Sequence, residues 1–239
     1  MYEGRRGMAR VSRRKEFLAK MFEEAMRAYE CSGEEWSEDE KEFLPIFTDL
    51  VGSDKVVLDL AGGYGRVSPY LIKNNNTVVL GDLSRHSLQL AKKTILNSNF
   101  HIVRMDMLHL PFVDNIFDGV WFTQAFEYVP PDERESFLRA LKRILKHDGI
   151  AFLNVAKVPN ECSLLSYIKN YIYWKIIRRQ PIVWGEYIYK LHSKNYTGWH
   201  YHAVVFTKRI EKTFKKVGFK AIKTRYDKKG YLTYLLQAH

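Results

Sequence analysis

An α/β fold built on a mostly parallel sheet is what this 239-residue sequence predicts, and three observations carry it. The stretch Val56 to Arg66, VVLDLAGGYGR, is a β-branched apolar run ending in Asp59 and then in glycines, the pattern of a buried strand turning sharply into a helix. From about residue 54 to 156, short apolar runs alternate with stretches of helical periodicity, which implies parallel strands joined by right-handed crossovers. After residue 204, a helical stretch is followed by two strand-like runs around one turn.

The glycine turn has a physical purpose. Glycine accepts positive φ, and its missing Cβ lets a ligand lie directly on the backbone; Gly63 and Gly65 meet both needs. A helix predicted over about Arg66 to Lys73 adds unpaired N–H groups and the positive end of its dipole, which suit a carboxylate or phosphate. Rival motifs fit less well. A dinucleotide fingerprint starting at Gly63 needs a small residue at position 68, which Ser68 only half answers, and no phosphate loop ending in Gly-Lys-Ser/Thr is present. What stands here is D-x-A-x-G-x-G, then a second strand, Thr77 to Leu80, and Asp82.

That arrangement resembles the first motif and acidic partner of the class I S-adenosylmethionine-dependent methyltransferases, of the methyltransferase type 11-like kind. The sequence HIVRMDMLHLPFVDNIFDGVWFTQAFEYV is similar to the family's third and fourth motifs, and LKRILKHDGIAFLNV to the helix, turn and fifth strand that follow. A weaker echo lies at FTKRIEKTFKKVGF. The resemblance runs from about residue 54 to 156. It implies a Rossmann-like three-layer sandwich around a seven-stranded, mostly parallel sheet with an antiparallel last strand, plus N-terminal helices and an inserted lid after strand five.

In chain order, residues 1–15 carry Arg5, Arg6, Arg10, Arg13, Arg14 and Lys15 against Glu3, a basic tail. Phe17, Leu18, Met21, Phe22, Ala25 and Met26 recur at helical spacing over Lys15 to Tyr29. An acidic patch with Trp36 leads into a second helix, about Asp39 to Val51, and residues 1–53 form a cap. The core, 54–156, holds strands at about Lys55–Leu60, Thr77–Leu80, Phe100–Met105, Gly119–Thr123 and Ile150–Val155. Ser84 caps a helix running to Leu96. A further helix starts after Pro130-Pro131, carries Lys142, Arg143, Lys146 and His147 near its end and closes at Gly149.

Residues 157–203 change character, being dense in aromatics and cations, and the resemblance makes them the substrate lid. Residues 204–239 return to the core with a helix at Lys208–Val217, stopped by Gly218, and strands at Phe219–Tyr226 and Tyr231–Ala238 around a turn at Asp227 to Gly230.

Composition sets the class of partner. Hydrophobic residues at 46% with 14% aromatics are globular. A formal charge of +11 favours anionic partners such as nucleic acid or acidic lipid, although a solvated lysine-rich surface accounts for it equally. Cys31 and Cys162 sit far apart in no ligand or redox motif, so reduced thiols in a cytoplasmic protein are expected. The N-terminus lacks the apolar core of a signal peptide, no stretch approaches the roughly 20 apolar residues of a membrane span, and Met8 is an equally good start.

The resemblance assigns site residues. Asp82 would accept hydrogen bonds from the ribose hydroxyls, with Leu83 packed on the adenine. Asp106 would bond the adenine amino group with the Met107 backbone nearby. Asp59 would meet the ligand's ammonium through water, or else satisfy backbone N–H groups of the turn that Ala61, Gly63 and Gly65 line. Thr123 and Gln124 would lie near the methionine end and the transferred methyl. Ala61 stands where the family has its first glycine, and the bulky Tyr64 would shape the pocket.

Transfer is an in-line displacement from a sulfonium, so alignment and exclusion of water supply most of the acceleration, and a base is needed only where the acceptor must lose a proton. Candidates for that base are Glu127, Tyr128, His200 and His202. Glu127 reads equally as a surface acid. The two histidines alternate around Tyr201 and share one face of a strand, and no third ligand at metal spacing supports a metal.

Absent motifs narrow the acceptor: the Asn/Asp-Pro-Pro-Tyr loop, a cysteine after strand four and the ribose-methylating tetrad are all missing. A small molecule is the leading acceptor, RNA and especially tRNA the alternative, and a lipid or quinone reached by LLSYIKNYIYWKIIRR lying on a membrane a third. A cofactor-binding partner subunit without activity is the reading of another class. The oligomeric state leaves no mark in the sequence.

Overall fold

A computed structural model describes residues 14, 16–17, 36–156, 163–193, 196–203, 207–226 and 231–239. The basic tail and the expected helix over Lys15 to Tyr29, apart from Arg14, Glu16 and Phe17, lie outside these residues, as do Cys31, Cys162 and the turn at Asp227 to Gly230. The chain forms two compact units. One joins Glu35–Lys157 to Val205–His239, the other Met1–Glu34 to Val158–Val204.

The larger unit holds a seven-stranded sheet. Its strands are β1 (Val56–Leu60), β2 (Thr77–Asp82), β3 (Phe100–Arg104), β4 (Phe117–Phe122), β5 (Leu145–Ala156) and, numbered by their place in the chain, β8 (Phe219–Tyr226) and β9 (Tyr231–Ala238). The strand order is β3-β2-β1-β4-β5-β9-β8. β1 runs parallel to β2 and β4, β2 to β3 and β4 to β5, while β9 is antiparallel to both β5 and β8. Only the last strand in sequence is reversed.

Helices cover both faces because successive strand side chains alternate between them. Leu58, Leu60, Val120 and Phe122 pack with Leu138 and Leu141 of one helix, Arg134–Ile144, and with Ile210 and Phe214 of another, Thr207–Val217. Val57, Val78, Trp121 and Phe152 face the other way, onto Phe43 and Phe47 of α1 (Glu38–Val51). Trp121 stacks on Phe152 at 3.7 Å and meets the edge of Phe47 at 5.3 Å. Gly119 makes this fit possible, since a Cβ there would lie 2.7 Å from Val51 and 2.8 Å from Phe47.

Polar contacts fix α1 in place. Ser37 and Glu40 form a reciprocal capping box at its start. Buried Asp39 accepts from Thr233 Oγ1 at 2.5 Å, pairs with Arg225 at 3.1 Å, and lies beside Asn154, which donates to Thr233. One helix is thereby tied to β5, β8 and β9.

Two expected helices differ. The helix after the turn is only α2 (Ser68–Leu71), followed by a 3₁₀ turn at Lys73–Asn75. The run Asn74-Asn75-Asn76 ends it, Asn74 and Asn75 taking left-handed φ of 66° and 59°. After α3 (Arg85–Thr94) comes α4 (Arg134–Ile144), and Lys146 to Gly149 belong to β5 rather than to a helix end. Leu145 already pairs with Phe117, and Lys146 turns to Asp118 at 2.8 Å.

The smaller unit contains α5 (Leu164–Ile172), a π-helical turn at Tyr173–Ile177 and an antiparallel ribbon of β6 (Glu186–Ser193) and β7 (Tyr196–Ala203). Tyr167 and Trp174 form the buried side of its helix, and Trp174 Nε1 and Asn170 Nδ2 donate to the Ile188 carbonyl of β6. Buried Glu186 accepts from Arg14 at 2.5 Å, from Tyr201 Oη at 2.8 Å and from the Val183 amide at 2.7 Å. The final helix, Thr207–Val217, returns to the larger unit and is α6.

Candidate active site

Ligands of open α/β sheets bind outside the carboxyl ends of the strands, where the order reverses, and here that point lies between β1 and β4. Both strands end in a left-handed residue that is not glycine: Ala61 at φ 53° follows β1 and Gln124 at φ 50° follows β4. Each costs about 1–2 kcal/mol relative to an ordinary backbone conformation. Two such residues side by side mark a constrained crevice.

The glycines of the turn have different tasks. Gly63, at φ 59°, has no atom within 4 Å of where a Cβ would sit, so its face of the turn is open. Its N–H donates to Asp82 Oδ2 at 2.9 Å, while Asp82 Oδ1 accepts from the Ser84 amide at 2.8 Å. Gly62 and Gly65 face protein. A Cβ on Gly62 would lie 2.5 Å from Asp59 Oδ1, and one on Gly65 would lie 2.7 Å from Ile95 Cδ1, so these two let β1, β2 and α3 approach closely. An open backbone face beside a carboxylate at the end of β2 is the concavity a ribose-bearing ligand requires.

Asp59 is buried beneath the turn and accepts from Ser68 Oγ at 2.6 Å. Its partner is thus a hydroxyl of α2. Burial pushes its pKa up to about 6, against the opposing hydrogen bond from Ser68 and the nearby Arg66 guanidinium. The unfolded carboxyl titrates at 3.8, so the folded state binds a proton more tightly between about pH 4 and 6. The resulting penalty on stability is fully present above pH 6 and vanishes as pH falls through that window. A shift from 3.8 to about 6 corresponds to about 3 kcal/mol. Asp59→Asn is expected to be more stable than the parent at pH 7.5 by up to that amount, and to match it near pH 4. Urea denaturation at several pH values measures the difference; a constant gap across the window would show that Asp59 is not the titrating group.

Beside Asp59 lies an ion pair that sequence reasoning missed. Glu40, fully buried, pairs with Arg66 at 2.6 Å and accepts from Thr123 Oγ1 at 3.3 Å and from the Ser37 amide at 2.8 Å. Arg66 also covers Trp36, which meets Tyr70 edge-on at 4.8 Å. Trp36 therefore packs against the start of α2. The Ser37-x-x-Glu40 spacing signals the capping box but not the pairing with Arg66.

Other expected site residues fall as follows. Leu83 is exposed beside Asp82. Asp106 follows β3, where Met105 N–H donates to the Asp82 carbonyl at 2.9 Å, and its own carboxylate accepts from the Leu108 amide and approaches His109 at 3.1 Å. Met107 packs partly into the core. Glu127 is buried in a 3₁₀ turn with Tyr128, so it is not a surface acid.

In the smaller unit, His200 and His202 are buried and share a ribbon face with Tyr189 and Tyr187, their register partners. Tyr189 meets His200 at 5.1 Å. Burial lowers the His200 pKa to about 4, which leaves a neutral imidazole at physiological pH. Among the described residues no group of His, Cys, Asp and Glu is placed to hold a metal.

This fold and crevice define an α/β domain built to hold a nucleoside-type cofactor. Residues 57–149 match the family described as "Methyltransferase domain". Over those residues the chain is similar to the class I S-adenosylmethionine-dependent methyltransferases. Methyltransferase GfsG of Streptomyces halstedii is 27% identical over 104 residues, 41% of this chain and 37% of that protein. The ubiquinone/menaquinone biosynthesis C-methyltransferase UbiE of Cellvibrio japonicus is 31% identical over 119 residues, 46% of this chain and 47% of that one. The chain thus spans less than half the length of these relatives.

Among solved structures, a SAM-dependent methyltransferase from Methanosarcina mazei superposes with a TM-score of 0.62 at 17% identity, covering 81% of this chain and 97% of its own. The 1,6-didemethyltoxoflavin-N1-methyltransferase of Burkholderia thailandensis gives 0.60 at 14% identity, covering 98% and 89%. At these identities the likeness concerns the fold.

Proposed function

We propose that this protein is an S-adenosylmethionine-dependent methyltransferase acting on a small-molecule acceptor. The observation that carries the reading is the open face of Gly63 held against the Asp82 carboxylate. When bound, S-adenosylmethionine supplies a methyl group on a sulfonium, open to in-line displacement. Asp82 takes the ribose hydroxyls, Leu83 the adenine face, and Asp106 with the Met107 amide the adenine edge. Asp59, buried beneath the turn, reaches the amino acid end only through water, and Thr123 and Gln124 flank that end from β4. Ala61 and Gly65 shape the turn, one by its left-handed backbone and the other by admitting Ile95.

The substrate side has several candidates. Buried Glu127 and half-buried Tyr128 follow β4, as an acceptor-positioning pair would. His200, neutral and reluctant to take a proton, suits hydrogen bonding to the acceptor better than general base catalysis, and His202 stands beside it on the same ribbon face. Residues 157–203 serve as the substrate-selecting element. The relatives' names, among them a 2-methyl-6-phytyl-1,4-hydroquinone methyltransferase of rice, support an acceptor of small-molecule type. The absence of a paired-cysteine motif supports a cytoplasmic setting.

Transfer of labelled methyl groups to fractionated cell extract tests this. Label in the small organic molecules, with none in RNA, is the expected outcome. Label confined to RNA would make the +11 charge a nucleic-acid grip instead. No label in any fraction, despite cofactor binding, would indicate a partner subunit without turnover.

A further inference from the structure

The helix of the smaller unit carries exposed as well as buried apolar side chains. Tyr167 and Trp174 fill its inner side. Away from that inner side, Leu164, Ile168, Ile172 and Ile176 recur at four-residue spacing with Leu165 beside them, and all five are exposed. Leu164 is 72% exposed and Ile176 64%. Half of the large apolar side chains exposed among the described residues fall between positions 164 and 184, whereas the rest are scattered. Single exposed leucines are ordinary, but a continuous stripe on one helix is not.

Charge identifies what covers the stripe. From Ser163 to Gly185 the sequence contains no acidic residue, and Lys169, Arg178 and Arg179 are exposed along and just beyond the helix. Tyr173 and Trp184, both partly exposed, add aromatic rings of the kind that settle at a membrane–water boundary. No helix among the described residues is long and apolar enough to cross a membrane. An apolar stripe, edged by cations and interfacial aromatics on a short helix, is the form of an element that lies in the plane of a bilayer.

We infer that α5 and the π-turn after it dock the protein on an anionic lipid bilayer, with Leu164, Ile168, Ile172 and Ile176 among the acyl chains and Arg178 and Arg179 among the headgroups. The contact is independent of the cofactor crevice, and neither requires the other. An acceptor with a hydrocarbon tail would be collected at that surface.

Vesicle flotation of the full chain tests the inference, using phosphatidylcholine with about 30 mol% phosphatidylglycerol against phosphatidylcholine alone. The protein is expected to float with the anionic vesicles and to be released as salt rises. Ile172→Glu with Ile176→Glu should weaken binding at least about tenfold through the lost apolar burial. Arg178→Gln with Arg179→Gln should weaken it by about thirtyfold through the lost headgroup attraction.

Both pairs are exposed, so unchanged S-adenosylhomocysteine binding in the variants serves as the check on folding. A second readout uses the unsubstituted protein alone: brominated lipid in the anionic vesicles should quench its tryptophan fluorescence. Absence of flotation and quenching overturns the inference. So does flotation that the Ile172/Ile176 change leaves intact. Dimers in sedimentation that the same change disperses, without vesicle binding, would assign the stripe to a second copy of the chain instead.

Discussion

Asp82→Ala is expected to bind S-adenosylhomocysteine at least about 100-fold more weakly than the parent protein, since a carboxylate bonding two hydroxyls contributes about 1.5–3 kcal/mol for each charged hydrogen bond. The same carboxylate holds the Gly63 and Ser84 amides, so the alanine variant should also lose stability, by about 1–3 kcal/mol. Asp82→Asn separates the two effects. Its side-chain oxygen can still accept from one of those amides, while its charge is gone, so it should keep most of the stability and still lose about tenfold in affinity. Equilibrium dialysis with labelled ligand and thermal denaturation measure the pair of quantities. Unchanged affinity in both variants would remove Asp82 from the ligand's surroundings.

Glu40→Ala should have the largest effect on stability. Its carboxylate neutralises Arg66, which is itself mostly buried, and also accepts from Ser37 and Thr123. Removing one partner of a buried ion pair strands the other, at a cost of about 3–5 kcal/mol. In a chain of this length that lowers Tm by about 10 °C or more. Arg66→Met in the same background relieves the stranded charge, so the double variant should recover part of the loss. A double variant less stable than Glu40→Ala alone would mean that Arg66 acts through its packing on Trp36 rather than through its charge.

Much of this was legible in the residues. β1, β2 and the turn between β1 and α2 announced themselves because a buried parallel strand is a run of β-branched residues and the turn needs glycine. The seven-stranded, mostly parallel sheet and its reversed last strand came from the family resemblance, and the strand order only from the structure. Local rules failed where tertiary contacts decide. The stretch Arg66 to Lys73 has good helical composition at its ends, but the asparagines beyond Lys73 take left-handed conformations and only one turn forms.

Lys146 and His147 satisfied the dipole rule for a helix end, yet Leu145 had already entered β5 opposite Phe117. Glu40 looked like one acid in an acidic patch. Its importance arises from Arg66, 26 positions away, and no spacing rule connects the two. Gly62 carries no signal of its own in the sequence, because its glycine is required by the Asp59 and Leu80 side chains beneath it, which only the folded turn brings there.

The most direct test is a calorimetric titration of S-adenosylhomocysteine into the unsubstituted protein. One site per chain with Kd on the order of micromolar is the predicted result. A protein folded by near-ultraviolet circular dichroism that gives no heat and no displaced S-adenosylmethionine would contradict the assignment of the Gly63–Asp82 crevice.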